Sequence, residues 1–250
     1  MLFKQLIESD SSTYTYLLAC ENTHQALLID PVLETVERDL QVLRDLGLTL
    51  AATLETHIHA DHLTGAKRLR ERTGSSIVCP AMLDLPCADT GVAEGQPFML
   101  GDIVLEPLFT PGHTDHHHAY LLQGNVQKLL FSGDALLIDA CGRTDFQSGS
   151  AAELYNSIHN KIFSLPAETL IYPAHDYEGR HVSSVAQERA RNPRLGRGRS
   201  KEDFVALMEG LDLPYPRKID FAVPGNEACG ECPQNAPEAF RGPCVASDQG

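Results

Sequence analysis

Four times before residue 176, a short strand-like run ends in a small or turn-forming residue and is followed at once by a side chain able to bind a metal. The run 48–56 leads into His57, and 103–109 leads through Thr110-Pro111-Gly112 to His113. The run 128–132 leads through Gly133 to Asp134, and 168–173 leads through Ala174 to His175. Proline and glycine let the backbone turn sharply, so the following side chain projects from the strand end. A chain built this way has to bring several strand ends to one sheet edge. The pattern suits a metal site better than a catalytic triad: no serine sits in a nucleophile elbow and no GxGxxG opens a strand–helix unit.

The densest of these segments is Thr56-His57-Ile58-His59-Ala60-Asp61-His62. His57 and His59 leave a strand end on the same side, because side chains alternate with period two. Asp61 and His62 are expected to open a helix, with Asp61 as its N-cap. Taken singly, each has a plainer reading, as a surface histidine or an ordinary cap. Together at one strand-to-helix turn they favour metal ligation. His116, His117 and His118 follow the second ligand segment; three adjacent side chains do not converge on one ion, so they are read as supporting or surface residues.

Strand-like runs at 14–20, 25–30, 48–56, 75–79, 103–109, 118–123, 128–132 and 168–173 are interspersed with helical patterns at 34–46, 61–72, 151–163, 181–191 and 201–211. This predicts a mixed α/β (α+β) chain in a layered αββα arrangement, one domain over 1–250, with a Pro/Gly/Cys-rich wrapping tail from about Pro214. Twenty Lys and Arg against 34 Asp and Glu leave a net charge of −14, which repels phosphate backbones and anionic lipid. No apolar run approaches the roughly 20 residues of a membrane span. The first residues, MLFKQLIESDSSTY, have neither a basic apolar leader nor Arg-rich transit character, so a cytoplasmic location is expected. Seven cysteines, odd in number and loosely spaced, are expected mostly as buried free thiols; Cys229 and Cys232 with Cys244 beyond are a weak zinc or redox signal.

HIHADH, PGH, GD and PAH together resemble the metallo-β-lactamase superfamily over about residues 1–190. The resemblance implies a four-layer αββα sandwich with the metal at one edge. Hydrolases of that superfamily commonly hold two metals. On their pattern His57, His59 and His113 form one site, Asp61, His62 and His175 the other, and Asp134 bridges. The stretch CGRTDFQ at 141–147, with HADHLTG at 59–65, YPAHDYEG at 172–179 and IDFAVPGN at 219–226, is more similar to the persulfide dioxygenases than to the hydroxyacylglutathione hydrolases.

The persulfide dioxygenase resemblance implies one iron(II) per chain, held by His57, His113 and Asp134 as a two-His-one-carboxylate triad with open positions. His59, Asp61, His62 and His175 then orient the ligands. The implied reaction oxidises glutathione persulfide with O₂ to sulfite and glutathione. Arg143 and Tyr177 match glutathione-binding positions, with Arg194 and Lys218 as further cationic candidates; alternatively Arg143 pairs with Asp145 or Asp139 as a loop strut. Two other readings stand beside this one: a binuclear zinc hydroxyacylglutathione hydrolase, and a non-enzymatic redox or sulfide sensor, which no basic patch supports. Members of this fold often dimerise, which leaves a homodimer open.

Overall fold

In the computed structural model, which describes residues 1–124, 127–234, 236–237 and 244, strand β2 (Thr13–Ala19) is buried on both faces. Tyr14, Tyr16 and Leu18 point into one core, while Leu17 and Ala19 point into another. Alternation along a pleated strand divides the run in this way, and two covered faces explain why it reads as continuously apolar.

The first sheet contains β1 (Leu2–Glu8), β2, β3 (Gln25–Ile29), β4 (Thr49–Leu54), β5 (Ser76–Pro80) and β6 (Thr90–Val92), neighbours in chain order. The second contains β7 (Phe98–Leu100), β8 (Ile103–Phe109), β9 (His118–Gln123), β10 (Lys128–Gly133), β11 (Leu170–Pro173) and β12 (Ser183–Ser184). Their inner faces meet in a central core where Leu27 and Leu54 pack with Leu105, Tyr120 and Phe131. The outer face of the first sheet is covered by α1 (Val36–Asp45), α2 (Ala66–Thr73) and α6 (Ile219–Glu227) through Leu40, Leu43, Leu69 and Phe221. The outer face of the second is covered by α3 (Ala151–Ser157), α4 (Val185–Arg191) and α5 (Lys201–Glu209) through Leu154, Val185 and Phe204. The layers are therefore αββα.

Strands β8, β10 and β11 run in one direction, so their C-terminal ends reach one edge together. The end of β4 joins that edge where the His118 N–H donates to the Thr56 carbonyl at 2.9 Å, and the Tyr14 N–H donates to the Ala174 carbonyl at 2.7 Å. Two glycines shape the turns. A Cβ at Gly133 (φ +52°) would lie 2.4 Å from His117 Nε2, and one at Gly112 (φ +135°) would lie 2.2 Å from the Leu154 nitrogen. Neither turn accommodates a side chain without displacing His117 or the Leu154 backbone.

The structure corrects several expectations. The second helix begins at Ala66 rather than at residue 61, and its N-cap is Gly65; Asp61 instead turns its carboxylate to His62 and His175. The helix expected over 151–163 is α3 followed by a π-turn, Ile158–Ile162. Strand β1, short strands β6 and β7, and α6 were not anticipated; α6 carries Pro224 and Gly225, which mask a helical pattern. Part of the tail, 238–243 and 245–250, lies outside the described residues.

Cysteine pairing is the largest correction. Cys87 is bonded to Cys229 with a Cα separation of 6.0 Å, and Cys232 to Cys244 at 5.6 Å. Cys20, Cys79 and Cys141 are free and buried. The first bridge spans 142 residues, a pairing that spacing along a chain does not reveal. Among the described residues no helix is long and apolar enough to cross a membrane.

Candidate metal centre

His57 lies three residues past the end of β4, and its neighbour decides which ring nitrogen carries the proton. The Thr56 hydroxyl donates to Asp30 Oδ2 at 2.9 Å, and the Thr56 N–H donates to Asp30 Oδ1 at 2.7 Å. A hydroxyl has one proton, so Thr56 Oγ1, 2.9 Å from His57 Nδ1, accepts the His57 Nδ1–H. The His57 Nε2 lone pair is left free. Burial, reinforced by the nearby imidazoles of His59, His113 and His117, holds His57 well below the usual histidine range, so the ring is neutral.

His113 is fixed from the other side. Its Nδ1 lies 2.8 Å from the Arg143 carbonyl, which only accepts, so Nδ1 carries a proton and Nε2 is the nitrogen turned to the centre. That Nε2 is 3.4 Å from Asp134 Oδ2. The Asp134 N–H donates to His117 Nε2 at 3.1 Å, and His117 Nδ1 then donates to Thr110 Oγ1 at 2.8 Å. Burial lowers His117 well below its usual range, as an accepting ring requires. His116 accepts the Ile58 N–H at 3.0 Å. The supporting reading of His116 and His117 is therefore the one the structure has, and neither is a surface residue.

One atom from each of His57, His113 and Asp134 lies within 4.8 Å of the others. Asp134 Oδ1 is buried without a hydrogen-bond partner. Two imidazoles whose Nδ1 atoms are committed to oxygen acceptors, with Nε2 left to face the centre, and a carboxylate with an unsatisfied oxygen fit a divalent metal, whose bonds would satisfy all three.

His59 is oriented differently. Its Nε2 is 3.2 Å from Asp30 Oδ1 and 3.4 Å from Glu55 Oε2. Burial acts to lower its pKa, but the carboxylates of Asp30 and Glu55 prevail and hold it well above the usual range. Glu55 also accepts from the Thr64 hydroxyl at 2.6 Å. Asp61, His62 and His175 form a second group: Asp61 Oδ2 is 3.1 Å from His62 Nδ1 and 3.6 Å from His175 Nε2. Partial burial would raise the Asp61 carboxyl, but the two imidazoles keep it well below the usual carboxylate range. His175 Nε2 also lies 3.5 Å from Asp134 Oδ1, linking the two groups.

A cleft of about 530 Å³ opens onto the centre, lined among others by His113, Asp134, His175, Tyr177, Arg143 and Arg194. Tyr177 is 73% exposed and its ring lies parallel to His175 at 6.0 Å. Arg143 is engaged: Nε and Nη2 each donate to the Asp145 carboxylate at 2.7 Å, Nη1 donates to the Pro214 carbonyl at 2.9 Å, and the guanidinium lies 4.6 Å over Phe146. This is the strut arrangement. Arg194 donates to the Cys141 carbonyl at 3.0 Å, and among the described residues no ion pair engages it. Lys218 is 3.6 Å from Glu34 and does not line the cleft.

Asp30, Glu55 and Thr56 were not singled out from the sequence. The only signal was local: a carboxylate directly after the apolar run of β3, and two polar residues before the histidines.

The sequence profile described as Metallo-beta-lactamase superfamily matches residues 9–175. The protein named "Persulfide dioxygenase ETHE1, mitochondrial" from Mus musculus is 48% identical over 230 residues, 92% of this chain and 89% of that protein. The crystal structure of ETHE1 from Myxococcus xanthus superposes with a TM-score of 0.88 at 51% identity, covering 92% of this chain and 100% of that one. A hydroxyacylglutathione hydrolase from Rhodospirillum rubrum is 34% identical over 187 residues, 74% of this chain and 70% of that protein.

Proposed function

Because the chain belongs to the persulfide dioxygenase family of the metallo-β-lactamase superfamily, we propose that it is an iron(II) enzyme that oxidises glutathione persulfide with O₂. The balanced reaction is GSSH + O₂ + H₂O → GSH + SO₃²⁻ + 2H⁺. His57, His113 and Asp134 would hold one iron(II) per chain. When bound, the metal supplies the redox chemistry by which both oxygen atoms are added to the terminal sulfur.

The protein's own part is to place and orient. Thr56 and the Arg143 carbonyl fix the two imidazoles with Nε2 toward the centre, while His117 holds the backbone of Asp134. Holding persulfide and dioxygen at one centre removes the entropy of bringing them together. Arg194, a cleft cation with no carboxylate partner among the described residues, would receive a glutathione carboxylate, and Tyr177 beside His175 would offer its hydroxyl. Arg143 would shape the same wall through Asp145 and Pro214.

The observation that carries the dioxygenase reading over the hydrolase is the likeness, 48% identity over 92% of this chain against 34% over 74%. His59 Nε2 faces Asp30 and Glu55, while its Nδ1 is buried without a hydrogen-bond partner, so this ring keeps an atom that a metal could take. A binuclear hydrolase on the superfamily pattern needs His59 as the third ligand of its first ion. The hydrolase reading keeps its support in the open His59 Nδ1 and in Asp61, His62 and His175 near Asp134.

Protein prepared anaerobically should contain one iron per chain and consume O₂ with glutathione persulfide. Two zinc ions per chain, with thiol release from S-D-lactoylglutathione and no O₂ uptake, would establish the hydrolase instead.

A further inference from the structure

The metal-binding loop is gripped from behind by a residue more than 160 positions away in sequence. Asn226, 3% exposed on α6, donates through Nδ2 to the carbonyls of His59 and His62, each at 2.8 Å. Its Oδ1 accepts the Thr64 N–H at 2.8 Å. Three backbone groups of one irregular loop are thus satisfied by a single side chain, and all three lie between the last strand residue, Leu54, and the start of α2. Loop carbonyls left without partners in a buried setting are costly, so this amide fixes where the loop runs.

Covalent and steric contacts fix α6 in turn. The Cys229 N–H donates to the Asn226 carbonyl at 2.9 Å, the Lys67 N–H donates to the Cys229 carbonyl at 3.1 Å, and Cys229 is bonded to Cys87 in the segment between β5 and β6. At Gly230 (φ +91°) a Cβ would stand 2.2 Å from the Thr64 carbonyl, so the chain after α6 lies directly against the loop. Asn226 does not line the substrate cleft. It borders, with Glu55, His57, His59 and Cys229, a separate small cavity.

We propose that Asn226 is a positioning residue for the metal centre: through the carbonyls of His59 and His62 it sets the path of the loop that carries His57, and the Cys87–Cys229 bridge keeps it in register. This rests on the ligand set assigned above but not on the identity of the substrate.

The test compares the parent with Asn226→Asp and Cys87→Ser, all loaded anaerobically with iron(II). Asp is isosteric and retains an acceptor for the Thr64 N–H, but it turns oxygen toward two carbonyls. Three quantities are measured: iron loss to a chelator, hydrogen exchange at the Thr64 amide, and kcat and KM with glutathione persulfide. Residues that orient metal ligands affect metal affinity by about 10–100-fold, so Asn226→Asp should lose iron roughly 10-fold faster. Exchange at Thr64 should accelerate, and kcat should fall with KM unchanged. Cys87→Ser should shift iron loss and exchange the same way by a smaller factor, which keeps the test decisive where Asn226→Asp does not fold. Parental iron loss in Asn226→Asp, or a raised KM at parental kcat, overturns the positioning role; parental iron loss in Cys87→Ser overturns the part given to the bridge. A parent that binds no iron defeats the ligand assignment instead.

Discussion

Thr56 Oγ1 lies 2.9 Å from His57 Nδ1 while its own proton is held by Asp30, so a buried carboxylate decides, through one hydroxyl, which nitrogen of His57 is free. The other two proposed ligands are set by different devices, His113 by a backbone carbonyl and Asp134 by an imidazole at its own N–H. Replacing Thr56 by Val preserves shape and removes the acceptor. Metal affinity should fall by about 10–100-fold with the far-UV circular dichroism unchanged. Parental iron retention at low free iron would show that the hydroxyl does not orient the ring.

Alanine at His57, His113 or Asp134 should abolish iron binding and O₂ uptake together, since three protein ligands leave no redundancy. His59→Ala should be milder, of the order of 10–100-fold, if its ring, held at Nε2 by Asp30 and Glu55, only orients the ligands. Metal analysis of the four proteins decides it; complete metal loss in His59→Ala would return that residue to the ligand set.

Arg194 and Arg143 should separate by kinetics. A hydrogen bond to a charged group is worth about 1.5–3 kcal/mol, so Arg194→Ala should lower kcat/KM by roughly 10–150-fold, chiefly through KM and with iron content intact. Arg143→Ala breaks the Asp145 pair and the Pro214 contact. It should lower Tm, by roughly 2–4 °C for each kcal/mol lost, and leave KM of the iron-loaded fraction unchanged. A raised KM in Arg143→Ala would instead make it the glutathione anchor.

Asp39 on α1 is fully buried, its Oδ2 has no hydrogen-bond partner, and Arg38 reaches only Oδ1. Burial, partly offset by Arg38, pushes its carboxyl up to about 6. The folded state then binds the proton more tightly than the unfolded state. This contribution is fully present below about pH 4 and is lost as pH rises through about 6, amounting to roughly 3 kcal/mol. Denaturant titrations of the parent and Asp39→Asn between pH 4 and 7 should differ in slope by this single group. Identical slopes would place the Asp39 pKa near the ordinary carboxylate value.

The sequence by itself determined the strand ends and the histidines and aspartates they carry, because period-two burial and sharp glycine or proline turns are local properties. Gly112 and Gly133 announce the turns before His113 and Asp134, and the tertiary contacts at each confirm that no side chain fits. The layered class was legible for the same reason: β2 reads as a strand covered on both faces. Boundaries at the metal loop were not legible, since Asp61 has the chemistry of an N-cap yet is drawn to His62 and His175.

Only the tertiary structure decided how equivalent-looking residues divide the work. His57 and His59 are two positions apart and read alike, but Asp30 acts on His57 through Thr56 and pairs directly with His59. Arg143 and Arg194 are both cations near the cleft, and only the folded chain sets Asp145 against one of them. Asn226 and Cys229 lie in a tail whose Pro and Gly content hides a helix, and their contacts at Thr64 and Cys87 span more than 130 residues. Such assignments depend on which buried polar groups meet, and pairing between distant segments leaves no periodic trace in a single chain.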